Sequence, residues 1–275
     1  MPLDLGRAGP AGLAGLCADT GARVVVNAAG AVWGGGEREM TELNTDLPAR
    51  LAEAVADAPG GPRLVHLGSA YEYGPSPPGT AIGEDWPPAP VTVYGRTKLR
   101  GSQAVVRAAE RGADAVVLRV SVACGPGAPG VSLPGIVAAH LAAGRTELRL
   151  APLRAHRDVV DVRDVADAVV AAADAPAAAG AVVNIGGGGA VPMRRLVELM
   201  ITLAGRRLRV VEEGGAEPAR SLDLWQLLDI ARARRVLGWS PRRSLEDSLR
   251  DLLTAVGVRS SDPGRLFRAR DKDRA

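Results

Sequence analysis

Short runs of apolar, largely β-branched residues alternate along the chain with longer stretches whose apolar positions recur every three or four residues. Residues 23–27 (RVVVN), 63–68 (RLVHLG), 115–120 (AVVLRV) and 181–185 (AVVNI) are continuous enough to predict strands buried on both faces. Residues 40–57, 94–112, 164–173 and 193–204 carry helical spacing, and 4–20 reads as a linker followed by a helix. This alternation predicts an α/β fold, a doubly wound, mostly parallel sheet with helices on both faces. Loop signals gather at 73–91, rich in Pro and Gly, and at 125–134. In open α/β sheets such loops, at the carboxyl ends of strands, form the ligand crevice. From about Ser260 the chain is charged and aperiodic and reads as a frayed tail. The expected organisation is a core over 1–155, a mixed return and small C-terminal lobe over 156–257, and a flexible tail over 258–275.

Composition narrows the class. The 275 residues are 47% hydrophobic and 24% charged, which excludes collagenous, mucin-like and wholly disordered chains. No stretch approaches the roughly 20 apolar residues that span a bilayer, and the first five residues lack a basic start followed by an apolar core. A cytoplasmic protein with no membrane partner is expected. Cys17 and Cys124 are too few for a disulfide framework, and His66, His140 and His156 are too scattered for a metal site. Net charge is only +3, from 34 basic and 31 acidic residues, without a long basic run, so no nucleic-acid partner is expected. Lysine occurs only at 98 and 272, leaving 32 of the 34 basic residues as arginine, and tyrosine only at 71, 73 and 94.

That scarcity gives weight to Tyr94-Gly-Arg-Thr-Lys98. Residues four apart share a helix face, so phenol and ammonium can act together. A nearby cation favours phenolate, and the spacing therefore predicts a Tyr94 pKa lowered toward neutrality, suited to proton exchange with a substrate oxygen. Lysine offers a compact point charge where arginine offers a planar fork. Coincidence is the alternative, and the rarity of both residue types counts against it. Ser69 ends the predicted strand at 63–68 and can point a hydroxyl into the crevice. Taken alone, a serine there is more often a turn or cap residue.

With Asn27-Ala28-Ala29-Gly30, Asn44, and Ser69 with Tyr94 and Lys98, the chain resembles the extended short-chain dehydrogenase/reductase family of nucleotide-sugar epimerases, dehydratases and ketoreductases. Residues 119–126 (RVSVACGP), 156–162 (HRDVVDV), 184–187 (NIGG) and 237–241 (LGWSP) continue the likeness in order, which runs from about residue 4 to about 252. The resemblance implies a Rossmann-like sheet with a C-terminal substrate lobe and NAD or NADP as cofactor. It implies that Tyr94 is the general acid/base, that Lys98 binds the nicotinamide ribose and tunes Tyr94, and that Ser69 positions the reacting oxygen. Asn27, Ala28, Ala29, Gly30, Tyr94, Lys98 and Val120 would face the cofactor. Ser69, Ala70, Tyr71, Ser121, Arg154 and Arg157 would face a small-molecule substrate. Arg157 suits a substrate phosphate, or else an ion pair with Asp158 or Asp161. A homodimer built on the helix carrying Tyr94 is implied too.

Some residues depart from the family pattern. Such enzymes open with a strand, a Gly-rich turn, a helix and a second strand ending in the ribose-selecting residue. Here the series begins with the strand ending in Asn27, so a β-α-β unit of roughly 30 residues is expected to be missing and the sheet N-terminally incomplete. Gly6-Arg-Ala-Gly9-Pro-Ala-Gly12 fits a Gly-x-x-Gly-x-x-Gly pattern, but only five residues with two leucines precede it. Residues 24–26 would then lie at an exposed sheet edge, to be covered by an upstream segment, by residues 1–12 or by a dimer partner. Dehydratases place acids where Ala70 and Tyr71 stand, and many nucleotide-sugar enzymes have asparagine where Val122 stands. The expectation is an NAD(P)-dependent ketoreductase or epimerase acting on a nucleotide-activated deoxysugar or related secondary-metabolite ketone. The alternatives are a cofactor-independent isomerase, lyase or cyclase using Tyr94, and a non-catalytic relict binding subunit.

Overall fold

The structure, a computed structural model, describes residues 8–32, 36–57, 61–214 and 225–259. It opens with α1 (Pro10–Thr20) and β1 (Val24–Asn27), then α2 (Glu37–Thr41), which passes through a π-helical turn (Glu42–Asp46) into α3 (Leu47–Ala56). Next come β2 (Arg63–Ser69), α4 (Val93–Glu110), β3 (Ala115–Val120), β4 (Val122–Cys124), α5 (Leu133–Ala142), β5 (Glu147–Leu150) and β6 (His156–Asp161). The chain continues through α6 (Val162–Asp174), β7 (Val182–Ile185), β8 (Ala190–Pro192), α7 (Met193–Ala204) and β9 (Arg209–Glu212). β10 (Trp225–Gln226), α8 (Ala231–Leu237) and α9 (Leu245–Ala255) complete the described elements.

The main sheet is parallel, in the order β1-β2-β3-β7. Its strands are short continuous apolar runs because both faces are covered. Leu64 and Val117 face a layer with Leu13, Leu47, Leu51 and Val105, from α1, α3 and α4. Their neighbours Val65, Val116 and Leu118 face the opposite layer, with Val165, Ala168 and Ala172 of α6. Period-two alternation thus serves two apolar layers at once. A second group of strands, β10-β6-β4 with β8 antiparallel to β6, extends the architecture, and β5 pairs with β9. Beneath α5, α7 and α9 a third apolar cluster contains Leu141, Leu196, Met200, Leu203, Leu249 and Leu252.

The strands expected at 23–27, 63–68, 115–120 and 181–185 are β1, β2, β3 and β7, and the helix at 193–204 is α7. The expected single helix at 40–57 is broken by the π-helical turn, which gives Asn44 its inward position. The expected loop at 125–134 gives way at Leu133 to α5, capped by Ser132, whose side chain accepts from the Gly135 N–H. The helix expected within 4–20 is α1, with Gly9 as N-cap and Pro10 in its first turn. Gly6 and the tail from Ser260 lie outside the described residues. Among the described residues β1 pairs only with β2, and Val26 on that edge is 45% exposed.

One polar corner joins β6, α6 and α9. Asp161 caps α6 by accepting the Arg163 N–H at 2.8 Å; it also accepts 2.7–2.9 Å bonds from the Arg163 guanidinium and a 2.6 Å bond from Ser248 Oγ. Burial alone would raise this carboxyl, but the bonds from Arg163 and Ser248 outweigh it and hold the group at about 2, below its ordinary 3.8. A depressed folded-state value means that the ionised group stabilises the fold above the unfolded-state pKa. That stability is lost as pH falls through the folded value. Asp161→Asn is therefore expected to lose about 2 kcal/mol of stability at neutral pH. In thermal melts the gap from the parent should close as pH falls from about 4 toward 2, and a gap independent of pH would contradict the assignment.

Candidate active site

Parallel pairing sets the strand ends side by side. Ser69, the last residue of β2, pairs with Val120 at the end of β3, and Val120 pairs with Ile185 at the end of β7. Asn27 ends β1 opposite His66. The crevice lies beyond these ends, as open parallel sheets require, and α4 runs along its side.

Three of the expected residues meet there. Ser69 is buried at the start of a 3-10 turn (Ala70–Glu72), where its hydroxyl accepts the Tyr71 N–H at 3.2 Å. Thr92 caps α4 by accepting the Gly95 N–H at 2.9 Å, which fixes where the helix begins and so where Tyr94 projects. A hydrogen bond links the Tyr94 phenol to the Ser69 side chain. Lys98, one turn further along and 5% exposed, reaches back to β2 and donates to the Leu67 carbonyl at 2.5 Å. Serine, tyrosine and lysine therefore form one cluster.

Its electrostatics differ from the expectation that Lys98 lowers Tyr94. Burial dominates and pushes the Tyr94 phenol up to about 12; the Ser69 hydrogen bond pulls it down, while the charges of Glu72 and Tyr71 push it further up. Burial likewise lowers Lys98, opposed by the Glu72 carboxylate. The spacing correctly suggests a shared face, but desolvation is a property of the assembled site and is invisible to it.

The strand-end turn after β1 is built by polar bonds. Asn27 accepts the Ala29 N–H at 3.2 Å and shares a 3.1 Å bond with His66 Nδ1. Asn44, fully buried in the π-helical turn, accepts the Ala31 N–H at 3.0 Å and donates to the Ala31 carbonyl at 2.9 Å. It also donates to Thr97 on α4 at 3.2 Å. Ala28 and Gly30 are exposed, and a Cβ at Gly30 would lie 2.9 Å from Asn44 Oδ1. At Gly101 a Cβ would lie 2.0 Å from the Asn44 carbonyl oxygen, so glycine there lets α4 settle against the π-helical turn.

Of the residues expected on the substrate side, Tyr71 and Arg157 line one cleft together with Val91, Thr92, Trp225 and Gln226. The Tyr71 ring stands edge-on to Tyr94, with centroids 5.7 Å apart, and the Arg157 guanidinium lies 5.9 Å from the Tyr71 centroid. Arg157 donates to the His156 carbonyl at 3.0 Å. The Asp158 carboxylate accepts the Gly187 and Leu228 N–H groups, and that of Asp161 is engaged by Arg163 and Ser248. Ala70 is buried, its carbonyl accepting from Gln226 Nε2 at 3.0 Å. Ser121 is buried next to Asp158. Arg154 is exposed between β5 and β6, outside the lining of this cleft. Trp225 and Gln226 carry no signal in the sequence because they arrive from β10, far along the chain.

The described residues fit the nicotinamide half of a dinucleotide: a buried ammonium beside a half-buried tyrosine, at the open ends of β1, β2 and β3. They do not present the strand–Gly-turn–helix cradle for its phosphates. Gly9 caps α1 with Pro10, which has no N–H, as the next residue, and no described strand precedes it. Among the described residues no group of three or more His, Cys, Asp or Glu side chains could hold a metal ion, and no helix is long and apolar enough to cross a membrane.

Known proteins resemble the chain in sequence and in fold. The chain is 45% identical over 261 residues to the dTDP-6-deoxy-L-talose 4-dehydrogenase (NAD(P)(+)) of Kitasatospora kifunensis, covering 93% of this chain and 82% of that enzyme. The structure of RMD from Pseudomonas aeruginosa complexed with NADPH superposes with a TM-score of 0.82 at 22% identity, over 94% of this chain and 88% of the other. MoeE5, solved in complex with UDP-glucuronic acid and NAD, gives a TM-score of 0.82 at 25% identity, over 94% and 85% of the two chains. Residues 4–186 match the NAD dependent epimerase/dehydratase family description. On that match and on its likeness to the talose dehydrogenase, the chain belongs to the NAD dependent epimerase/dehydratase family.

Proposed function

We propose that the chain interconverts a ketone and a secondary alcohol on a nucleotide-linked 6-deoxyhexose, using NAD or NADP. The observation that carries this reading is the convergence of Ser69, Tyr94 and Lys98 at the strand ends, beside a cleft entered by Arg157. Similarity to a 4-dehydrogenase acting on a dTDP-6-deoxyhexose supports the substrate class. The bound nicotinamide supplies or accepts the hydride.

The remaining chemistry belongs to the protein. At neutral pH burial keeps Tyr94 as a phenol, so in the reducing direction it gives its proton to the oxygen of the substrate carbonyl. The Ser69 hydroxyl, beside that phenol, orients the same oxygen. Lys98 presents a cation to the ribose hydroxyls and to the proton path behind Tyr94. In the oxidising direction the proton returns from the alcohol to the phenolate. Arg157, a rigid fork beside Tyr71, suits the substrate's phosphates. The two residues that follow Ser69, Ala70 and Tyr71, are not acids, which favours simple redox over elimination of water. A cytoplasmic homodimer packed through α4 is part of the same proposal and rests on the family resemblance.

Equilibrium titration with NADH and NADPH, followed by turnover assays with a nucleotide-linked 4-keto-6-deoxyhexose, tests the reading; failure to bind either nucleotide would defeat it. Tyr94→Phe is expected to reduce kcat by 10²- to 10⁴-fold, the usual range for a lost acid/base, while cofactor affinity changes little. For Arg157→Lys the effect should fall on KM for the nucleotide-linked substrate, raised on the order of tenfold by loss of a bidentate phosphate contact. A KM equal to the parent's would remove Arg157 from the phosphate site.

A further inference from the structure

Next to the cluster of Ser69, Tyr94 and Lys98 lies a buried charge that the chemistry above does not use. Glu72, at the end of the 3-10 turn, is 0% exposed. Its Oε1 accepts the Ser69 N–H and the Ser102 hydroxyl, both at 2.8 Å, and its Oε2 accepts Arg119 Nε at 2.8 Å. Arg119, at 6% exposure, also lies over the Tyr73 ring, 4.4 Å from its centroid. Tyr73 in turn donates to Asn184 on β7 at 2.9 Å. Gly68 makes room for the carboxylate, since a Cβ there would lie 2.7 Å from Glu72 Oε1 and 2.9 Å from Ser102 Oγ.

These bonds have a geometric consequence. Ser69 stands at the end of β2, whereas Ser102 lies on α4 one turn beyond Lys98 and two turns beyond Tyr94, on the same helix face. A single carboxylate therefore ties the strand end carrying the serine to the helix carrying the phenol and ammonium, and anchors both to β3. Burying an ion pair is costly, and an apolar pair of similar volume is often as stable. Stability alone is a weak reason for a charge in this place.

We propose that Glu72 is a positioning residue: bridging Ser69, Ser102 and Arg119, it sets the separation of Ser69 from Tyr94 and Lys98 needed for catalysis. This rests on the functional reading given above. Glu72 also acts through its charge. It opposes the burial that lowers Lys98 and adds to the burial that raises Tyr94. The other ionisable groups facing this cluster are His66 from β2, which is buried and feels the Lys98 charge, Arg119 from β3, Tyr71 and Tyr73 from the turn region, and Glu84 beside Tyr73.

Two variants test it. Ser102→Ala cuts the helix side of the clamp and leaves no buried charge unpaired. The double substitution Glu72→Gln with Arg119→Met removes both charges together. Ser102→Ala is expected to lower kcat on the order of tenfold, and the double variant on the order of 100-fold, as sub-ångström to ångström misplacement does. For Ser102→Ala, KM for the sugar nucleotide and Kd for the cofactor should stay within about twofold, because every charge that binds them is kept. The alkaline limb of the kcat profile assigned to Tyr94 should move to lower pH in the double variant, because of the two charges removed it is the Glu72 carboxylate that raises Tyr94. A merely structural clamp would lower the melting temperature and leave this limb in place. If the double variant fails to fold, Ser102→Ala decides alone. An active parent beside a folded Ser102→Ala with parental kcat overturns the Glu72 assignment while leaving the functional reading intact. A parent that binds nicotinamide nucleotide but turns over no nucleotide-linked deoxyhexose overturns both.

Discussion

β2 and β3 are joined in a single register, from Leu64 opposite Ala115 to Ser69 opposite Val120, and the functional part of the molecule hangs from that ladder. Parallel pairing requires both strands to finish at the same edge, so the chain must leave the sheet twice within one crevice. The first exit becomes the 3-10 turn and the loop leading to α4. The second becomes β4 and, through it, the β6 group with Arg157 and Trp225. A one-residue slip would turn Ser69 to the other face of β2 and exchange Leu64 with Val65 between the apolar layers. Packing on both sides therefore enforces the register that the chemistry uses.

Within this frame the site is governed by desolvation. Three buried charges, on Glu72, Lys98 and Arg119, lie together beside the half-buried Tyr94, whose phenol is raised mainly by desolvation. Each is bound to a neighbour: Lys98 to a strand carbonyl, Glu72 to an N–H, a hydroxyl and a guanidinium, Arg119 to a carboxylate and an aromatic face. This satisfies the requirement that buried polar groups be hydrogen-bonded. It also leaves Tyr94, the proposed proton donor, in its protonated form.

Much of the frame is legible along the chain. Continuous apolar runs mark β1, β2, β3 and β7 because both faces of that sheet are covered, and the four-residue spacing of Tyr94 and Lys98 survives into one face of α4. Other parts are illegible for physical reasons. β4, β8 and β10 are two or three residues long, too short for any periodicity, and β6 interrupts its apolar positions with Arg157 and Asp158. The π-helical turn shifts Asn44 by a backbone irregularity that no side-chain pattern records. Glu72 sits among tyrosines in a turn, where an acid is unremarked until Arg119 and Ser102 arrive from other elements. The direction of the Tyr94 shift is lost in the same way, since local spacing contains the cation and omits the burial.

Lys98 sits in an unusual position with respect to mutation. Its ammonium fits against the Leu67 carbonyl in a buried slot, where a guanidinium fork would need more room and more partners. Apart from Lys98 and Lys272, the chain draws its 34 lysine and arginine residues entirely from arginine. The cation used almost everywhere else is thus the one that this slot rejects. Position 98 is a point where the chain's bias toward arginine and side-chain geometry pull in opposite directions, and geometry has prevailed.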